Sequence, residues 1–117
     1  MTRSCLHCAL ARALQSEADA LAAQGLTVTF TRSDPVWLPT SGARLYRGVR
    51  RLLREARAAS TGAAVKLAVL DLPGKSHVEV IATVKAARGT RVLTCAFERH
   101  VQGTLAGGFA EGTFVAG

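Results

Sequence analysis

Aromatic residues and long apolar runs are both scarce in this chain of 117 residues. Aromatics make up 5% of the residues although 49% are hydrophobic, so leucine, valine and alanine must build most of the core. The high apolar content is typical of a globular chain rather than a disordered one. No apolar run approaches the roughly 18 residues that a transmembrane helix needs, and no convincing signal-peptide cleavage site follows the first residues. We therefore expect a cytoplasmic protein without a membrane span.

Acidic residues are also few. Eight Asp and Glu stand against 15 Lys and Arg, which gives a formal net charge of +7. Such an excess favours encounter with nucleic acid, an anionic membrane surface or an acidic protein. The three cysteines, an odd number, fit a reducing compartment better than a disulfide framework. The length predicts a single domain over residues 1–117.

The arginine-rich segment over residues 44–60 has the strongest pattern in the chain. Its apolar residues recur at three- and four-residue spacing, which predicts a helix with one apolar face, capped by Thr40 or Ser41. Glu55 is the only acid in this segment. The arginines of its other face and flanks are Arg44, Arg47, Arg50, Arg51, Arg54 and Arg57. They predict either a solvated surface or a surface that binds an acidic partner.

Before this helix, the spacing of leucines predicts another helix over residues 4–24, ended by Gly25. We expect it to pack on the rest of the domain or to pair with a second copy. Alternation of apolar residues and threonines then predicts a strand over residues 26–32, and residues 36–38 predict a second, short strand.

After the arginine helix, residues 64–72 and 77–85 predict an antiparallel hairpin. The spacing over residues 90–102 predicts a third helix, and residues 104–116 predict two short strands. The order of elements predicts an α+β fold, a two-layer sandwich whose mixed or antiparallel sheet is covered on one face by about three helices.

Two longer stretches are similar to segments of a known family. Residues 34–60, DPVWLPTSGARLYRGVRRLLREARAAS, and residues 97–117, FERHVQGTLAGGFAEGTFVAG, carry the likeness. They resemble the asparagine-bearing helix and the ending of the C-terminal ATP-binding domain of bacterial sensor histidine kinases, in the GHKL ATPase superfamily. The resemblance extends over roughly residues 12–117 and implies the Bergerat-type fold of that family.

The same resemblance implies that the nucleotide chemistry is lost. The family's asparagine, which serves Mg²⁺ and the phosphates, is matched by Glu55, and the residue four earlier is Arg51. The family's aspartate–glycine motif for adenine is matched by VKAARG at residues 84–89, and the sequence has no aspartate after Asp71. The family's glycine-rich lid is missing as well, because few residues separate the hairpin from the third helix. We therefore expect no ATP or other cofactor and no enzymatic activity.

Cys5 and Cys8 form a CxxC motif around His7. Two thiols three residues apart on a helix reach the same side, as in redox and zinc sites. Cys95 and His100 are weak candidates to complete a zinc set if the third helix packs on the first. The alternative is that these cysteines are small apolar residues of a helix face, and on that interpretation we expect no bound metal.

These patterns leave three hypotheses for function. The first is a non-catalytic regulatory interaction module of bacterial signalling or transcription control. It would bind an acidic protein through the arginine helix, with Arg88 and Arg91 at its edge, and its first helix is a candidate surface for a homodimer. The second is a nucleic-acid-binding protein that uses the same arginines. The third is a residual ATP-binding or phosphotransfer protein that uses Glu55.

Overall fold

A computed structural model describes residues 3–31 and 33–99 of the chain. These residues form two helices and six strands, in the order β1 (Ser4–Cys5), α1 (Leu6–Ala23), β2 (Thr27–Phe30), β3 (Trp37–Leu38), α2 (Gly42–Ala59), β4 (Ala64–Leu70), β5 (His77–Ala86) and β6 (Gly89–Glu98).

Four strands form a mixed sheet in the order β2–β4–β5–β6. β2 runs parallel to β4, and β4, β5 and β6 form an antiparallel meander. Because side chains alternate between the faces of a strand, one face of the sheet carries a continuous buried apolar layer, made by Val65, Leu67, Val78, Val80, Ala82 and Val84. The apolar sides of α1 and α2 complete this core. The expected α+β sandwich with a mixed sheet is confirmed.

The sequence correctly predicts the glycine that follows α1 and the cap at the start of α2. α1 is followed by Gly25, whose positive φ of 75° suits glycine. α2 is capped by Ser41, whose Oγ accepts a hydrogen bond from the Arg44 amide at 3.1 Å. Of the two expected caps, Ser41 is therefore the one used. This local hydrogen bond stabilises the first turn of α2 independently of tertiary contacts.

A second, two-stranded sheet joins β1 to β3, with Ser4 opposite Leu38 and Cys5 opposite Trp37. The Leu6 amide also donates to the Val36 carbonyl at 2.8 Å. The short strand expected near residues 36–38 is confirmed, but Ser4 and Cys5 extend into a strand instead of starting the helix. This pairing fixes the start of α1 beside the segment that leads into α2.

The expected third helix is wrong, because residues 89–98 form β6. A tight turn at Ala87 and Arg88, closed by Gly89 at φ 94°, returns the chain antiparallel to β5. Leu93, Cys95 and Phe97 then point to the helix-covered face at every second position, a period that a helix cannot satisfy. The described residues thus carry two helices rather than about three. The strands expected over residues 104–116 lie outside the described residues.

Gly48 allows β6 to approach α2 closely. A Cβ at this position would lie 2.8 Å from Cζ of Phe97 and 3.2 Å from Sγ of Cys95, closer than side-chain atoms pack. The half-buried side chain of Phe97 occupies the space that a side chain at Gly48 would need. Glycine in the middle of this helix is therefore a packing requirement.

Gly48→Ala should lower the free energy of unfolding by about 1–2 kcal/mol through overpacking, despite the better helix propensity of alanine. Gly42→Ala in the same helix is the control, because its nearest neighbour, Oγ of Ser4, would lie at an ordinary 3.8 Å. Urea denaturation of both variants measures the difference. In a Phe97→Ala background the Gly48→Ala penalty should disappear. Equal stability of the two glycine variants in the native background would contradict the close packing of β6 on α2.

Candidate interaction surface

The six arginines of α2 fall into two sets according to what they contact. Arg50, Arg54 and Arg57 approach α1, and their nitrogens surround the carboxylate of Glu17. The other set, Arg44, Arg47 and Arg51, is exposed on the outer side of the helix. We call this second set the outer arginines. The arginine side of α2 is therefore part interhelix contact and part open surface.

Glu17 is a buried carboxylate with three cationic partners. It is 3% exposed and lies on the side of α1 that packs against α2. Arg50 Nε donates to its Oε2 at 2.8 Å and Arg54 Nε donates to the same oxygen at 3.3 Å. Nη2 of Arg57 lies 3.6 Å from Oε1. Each arginine keeps part of its side chain in water, so the cluster removes one carboxylate from solvent without fully burying its partners.

A hydroxyl and an aromatic ring extend this contact between the helices. The Tyr46 hydroxyl donates to Ser16 Oγ at 2.9 Å and accepts from Arg50 Nη1 at 3.3 Å. The guanidinium groups of Arg12 and Arg50 lie 5.2 and 5.8 Å from the centre of the Tyr46 ring, within range of cation–π attraction. α1 and α2 are thus joined by a polar network along one edge and by the apolar core below it.

The charge of Glu17 is favoured by the cluster. The hydrogen bond from Arg50 lowers the pKa of Glu17 below its ordinary value, and the charges of Arg54 and Arg50 act in the same direction against the opposing effect of burial. Because the carboxyl has a lower pKa in the folded chain than in the unfolded one, it stabilises the fold above its unfolded pKa of about 4.3. That contribution is lost as the pH falls through the pKa of Glu17 in the folded chain.

Glu17→Gln should lower the free energy of unfolding at pH 7 by about 2 kcal/mol. This is less than the roughly 3–5 kcal/mol for one partner of a fully buried pair, because the arginines left behind can turn to water. Unfolding in urea at several pH values is the measurement. The native protein should lose its stability advantage over Glu17→Gln as the pH falls from 5 toward 2. The variant should not show this part of the acid sensitivity.

Glu55→Gln is the matched control for this experiment. Glu55 pairs with Arg51 on the surface, four residues apart on one helix. Such exposed pairs contribute roughly 0.3–0.5 kcal/mol. If the two glutamine variants lost the same stability, the cluster around Glu17 would have no special role in joining the helices.

The outer arginines form an exposed cationic row at positions 44, 47 and 51. Within the described residues, Arg44 and Arg47 make no salt bridge to a carboxylate, and Arg51 has a single partner: its Nε lies 3.4 Å from Oε2 of Glu55. The Arg51 side chain is 83% exposed. Residues three and four apart share one side of a helix, so this row presents guanidinium groups to solvent along the first three turns of α2.

Arg88 and Arg91 lie near the other end of α2. The Thr61 amide, just after α2, donates to the Lys85 carbonyl at 2.8 Å, and Lys85 pairs with Thr90. The β5–β6 turn that carries Arg88 therefore lies at the end of the molecule where α2 stops. Both arginines are exposed, and neither makes a salt bridge among the described residues. They extend the basic surface past the helix rather than forming one cluster with the outer arginines.

The surroundings of Glu55 do not fit a Mg²⁺ site. Its carboxylate is half exposed and lies beside the guanidinium of Arg51. In residues 3–31 and 33–99, no group of three or more His, Cys, Asp or Glu side chains converges as metal ligands would. Mg²⁺ needs a nearly octahedral set of oxygens, and a neighbouring cation opposes its binding. The substitution of asparagine by glutamate therefore does not by itself create a site for the metal.

The segment matched to the adenine motif forms the end of β5 and the turn into β6. Residues 84–86 complete the pairing of β5 with β6, and the turn at Ala87 and Arg88 leads directly into β6. The expected absence of a lid was argued from a third helix that does not form. Here the chain passes from β5 to β6 without an intervening segment.

The cysteines are split between the two ends of the domain sequence. Cys5 caps α1 and its sulfur accepts the Cys8 amide at 3.3 Å, so the CxxC motif is brought together. Cys95 lies on β6 beside Gly48, and burial raises the pKa of its thiol. The helix that was expected to bring Cys95 to the motif is a strand, and His100 lies outside the described residues. The zinc set for which these four residues were weak candidates is therefore not assembled in the described part of the chain.

Glu17 is the important residue that the sequence analysis missed. Glu17 lies on the same apolar side of α1 as Leu10, Ala13 and Leu21. A charged residue on such a side needs a partner. A lone acid in an apolar stripe, in a chain with an arginine-rich helix, was the available signal. It went unused because the arginines were assigned to solvent or to a partner molecule.

The helices of residues 3–31 and 33–99 are too polar or too short to cross a membrane. This agrees with the absence of a long apolar run in the sequence.

Comparison with known proteins gives a likeness of fold. No family model and no curated protein matches the sequence. Among solved structures, the chain is similar to Acinetobacter baumannii histidine kinase AdeS, with a TM-score of 0.60 and 13% identity over 74% of this chain and 43% of that one. It is also similar to the mycobacterial sensor histidine kinase MprB, with a TM-score of 0.58 and 19% identity over 73% of this chain and 55% of that one.

The chain therefore has a histidine kinase ATPase-like fold, as the resemblance in the sequence implied. It spans about half the length of the two solved structures. At such low identity the likeness concerns the fold alone.

Proposed function

We propose that this chain is a non-catalytic regulatory module of bacterial signalling or transcription control, which binds an acidic protein through the outer arginines of α2. The observation that carries the proposal is the division of the α2 arginines. One set is used internally by Glu17, whereas Arg44, Arg47 and Arg51 face solvent in a row. The signalling context rests on the similarity of the fold to that of histidine kinases.

An acidic protein surface suits the outer arginines because of their geometry. They project from one rigid helix, and carboxylates of a partner can pair with guanidinium groups through two parallel hydrogen bonds. Arg50, Arg54 and Arg57, the inner arginines, hold α2 against α1. The outer arginines therefore lie on a helix that is fixed in the fold. Nucleic acid is the second candidate, since phosphates also pair with arginine. The helix has no aromatic residue among its exposed positions for stacking on bases, which favours the protein partner.

The proposed lack of catalysis rests on the surroundings of Glu55 and on the turn after β5, because the fold alone does not decide it. Glu55 lies beside a cation and lacks converging oxygen ligands among the described residues. The turn after β5 carries Arg88 where the resemblance implies an aspartate for adenine. Without an acceptor for the adenine amino group, specific binding of ATP loses its main source of discrimination.

Reversal of the outer arginines, Arg44→Glu with Arg47→Glu and Arg51→Glu, should abolish retention of the partner in a pulldown from the native cytoplasm at low salt. The reversal replaces attraction by repulsion at the interface and should mainly slow association. Arg54 is left unchanged because it contacts Glu17.

The matched control reverses three lysines outside α2 and away from the outer arginines, Lys66→Glu with Lys75→Glu and Lys85→Glu. These lysines are exposed on the helix-free face of the sheet or in the β4–β5 loop. Both triple variants lower the formal net charge from +7 to +1, so they separate the effect of the outer arginines from that of total charge. Circular dichroism checks that both remain folded. Equal loss of the partner in both variants would refute the assignment of the surface.

Nuclease treatment of half of each sample distinguishes the two candidate partners. A protein that native chain retains after nuclease, and that the outer-arginine variant does not retain, supports the proposal. Loss of everything after nuclease, together with a steep fall of duplex binding as salt rises, would establish nucleic-acid binding instead.

Residual nucleotide binding is the remaining alternative, because the solved structures with this fold are histidine kinases. The proposal predicts no change in the thermal midpoint of unfolding at millimolar ATP with Mg²⁺. A ligand at 100 times its dissociation constant would stabilise the fold by about 2.7 kcal/mol, which thermal unfolding measures readily. A saturable rise that Glu55→Gln removes would overturn the non-catalytic proposal.

A further inference from the structure

The CxxC motif at the start of α1 is a chemically reactive feature that the proposed function does not use. Cys5 is the N-cap of α1, and Cys8 lies one turn later with its amide on the Cys5 sulfur. Side chains three residues apart lie on one side of a helix, and their Cα atoms are within the separation that a disulfide spans. The two thiols also contact each other through a hydrogen bond, which raises the pKa of Cys8.

Access to this pair differs from access to the third cysteine. Cys8 is exposed, whereas Cys5 and Cys95 are both half-buried, so Cys8 is the sulfur that a small molecule in solution reaches most directly. Cys95 lies against Gly48 of α2 and has no second cysteine three residues away, and burial raises the pKa of its thiol. The chain therefore contains its own internal control for thiol reactivity.

His7, inside the motif, is turned away from metal binding. Its Nδ1 accepts a hydrogen bond from the Val36 amide at 3.3 Å, and its Nε2 lies 3.0 Å from Ser33 Oγ. A neutral imidazole whose Nδ1 accepts must carry its proton on Nε2, so both ring nitrogens are engaged with the β2–β3 segment. Two sulfurs without this histidine fall short of the four ligands of a structural zinc site, whereas a dithiol needs only the pair.

We propose that Cys5 and Cys8 form a dithiol site that exchanges with small disulfides of the glutathione class, so that the chain carries there either two thiols or one intramolecular disulfide. A disulfide formed by exchange is compatible with a reducing compartment, where such bonds serve redox sensing or catalysis rather than structure.

The exchange takes two steps, and either thiol can act first because both orders give the same products. In the order that starts at Cys5, the exposed Cys8 is the second nucleophile. The Cys5 thiolate attacks one sulfur of oxidised glutathione, the sulfur–sulfur bond of glutathione breaks, and one glutathione thiolate leaves. Cys8 then gives its proton to solvent and attacks the Cys5 sulfur, which releases the second glutathione. Two protein thiols are oxidised by two electrons, and one external disulfide is reduced to two thiols.

The experiment uses the full chain, reduced and then incubated with mixtures of reduced and oxidised glutathione. Acid quenching, alkylation of the remaining thiols and mass spectrometry identify each cysteine. Native chain and Cys95→Ser should both lose two alkylation sites together, without a retained glutathione. Cys8→Ser should trap a glutathione adduct on Cys5, and Cys5→Ser should trap one on Cys8. Serine is itself a good N-cap, so Cys5→Ser keeps the start of α1.

Three results would overturn the proposal. The first is that Cys5 and Cys8 remain alkylatable when oxidised glutathione is in large excess. The second is that Cys95 is the cysteine that is oxidised first. The third is that one equivalent of Zn²⁺ protects Cys5 and Cys8 from both glutathione and alkylation, which would make the pair part of a metal site.

Discussion

The carboxylate of Glu17 can leave water only because three arginines of α2 reach it from the neighbouring helix. Burial alone would favour the neutral carboxyl, but hydrogen bonds and charge from Arg50 and Arg54 keep its pKa below the ordinary value. Hydrogen bonds of this kind are directional. The cluster therefore adds a directional contact to the apolar packing that joins α1 to α2 over the sheet.

That constraint also decides which cations are available for binding. If Arg50, Arg54 and Arg57 all turned outward, the charge of Glu17 would be buried without a partner, a cost that exceeds the gain from most surface ion pairs. The inner arginines are therefore reserved for the fold. The outer arginines have only Glu55 beside them within α2, and their side chains extend from a helix that the cluster holds still. Stability and recognition are divided between two sides of the same helix.

Local patterns predicted the elements whose residues interact with near neighbours in the chain. α2 follows from its apolar stripe and the Ser41 cap, and the β4–β5 hairpin follows from alternation around a turn that contains Gly74. The prediction failed over residues 90–98, where two patterns fit equally well. Val92, Leu93, Ala96 and Phe97 have helical spacing, whereas Leu93, Cys95 and Phe97 have the alternation of a strand. Such short segments are ambiguous by periodicity alone. The pairing with β5 and the glycine at position 48 of α2 decide between the two patterns.

The sequence by itself determined the basic character of the chain, the single amphipathic arginine helix, the CxxC motif and the likeness to the histidine kinase ATPase-like fold, because composition, periodicity and short motifs are properties of neighbouring residues. The tertiary structure alone decided which arginines are bound internally, since Glu17 lies 33 residues before Arg50 and no local pattern joins them. It also separated Cys95 from Cys5 and Cys8 and placed a cation next to Glu55. Charges and thiols act through distance in space, and only the packing of α1, α2 and β6 sets those distances.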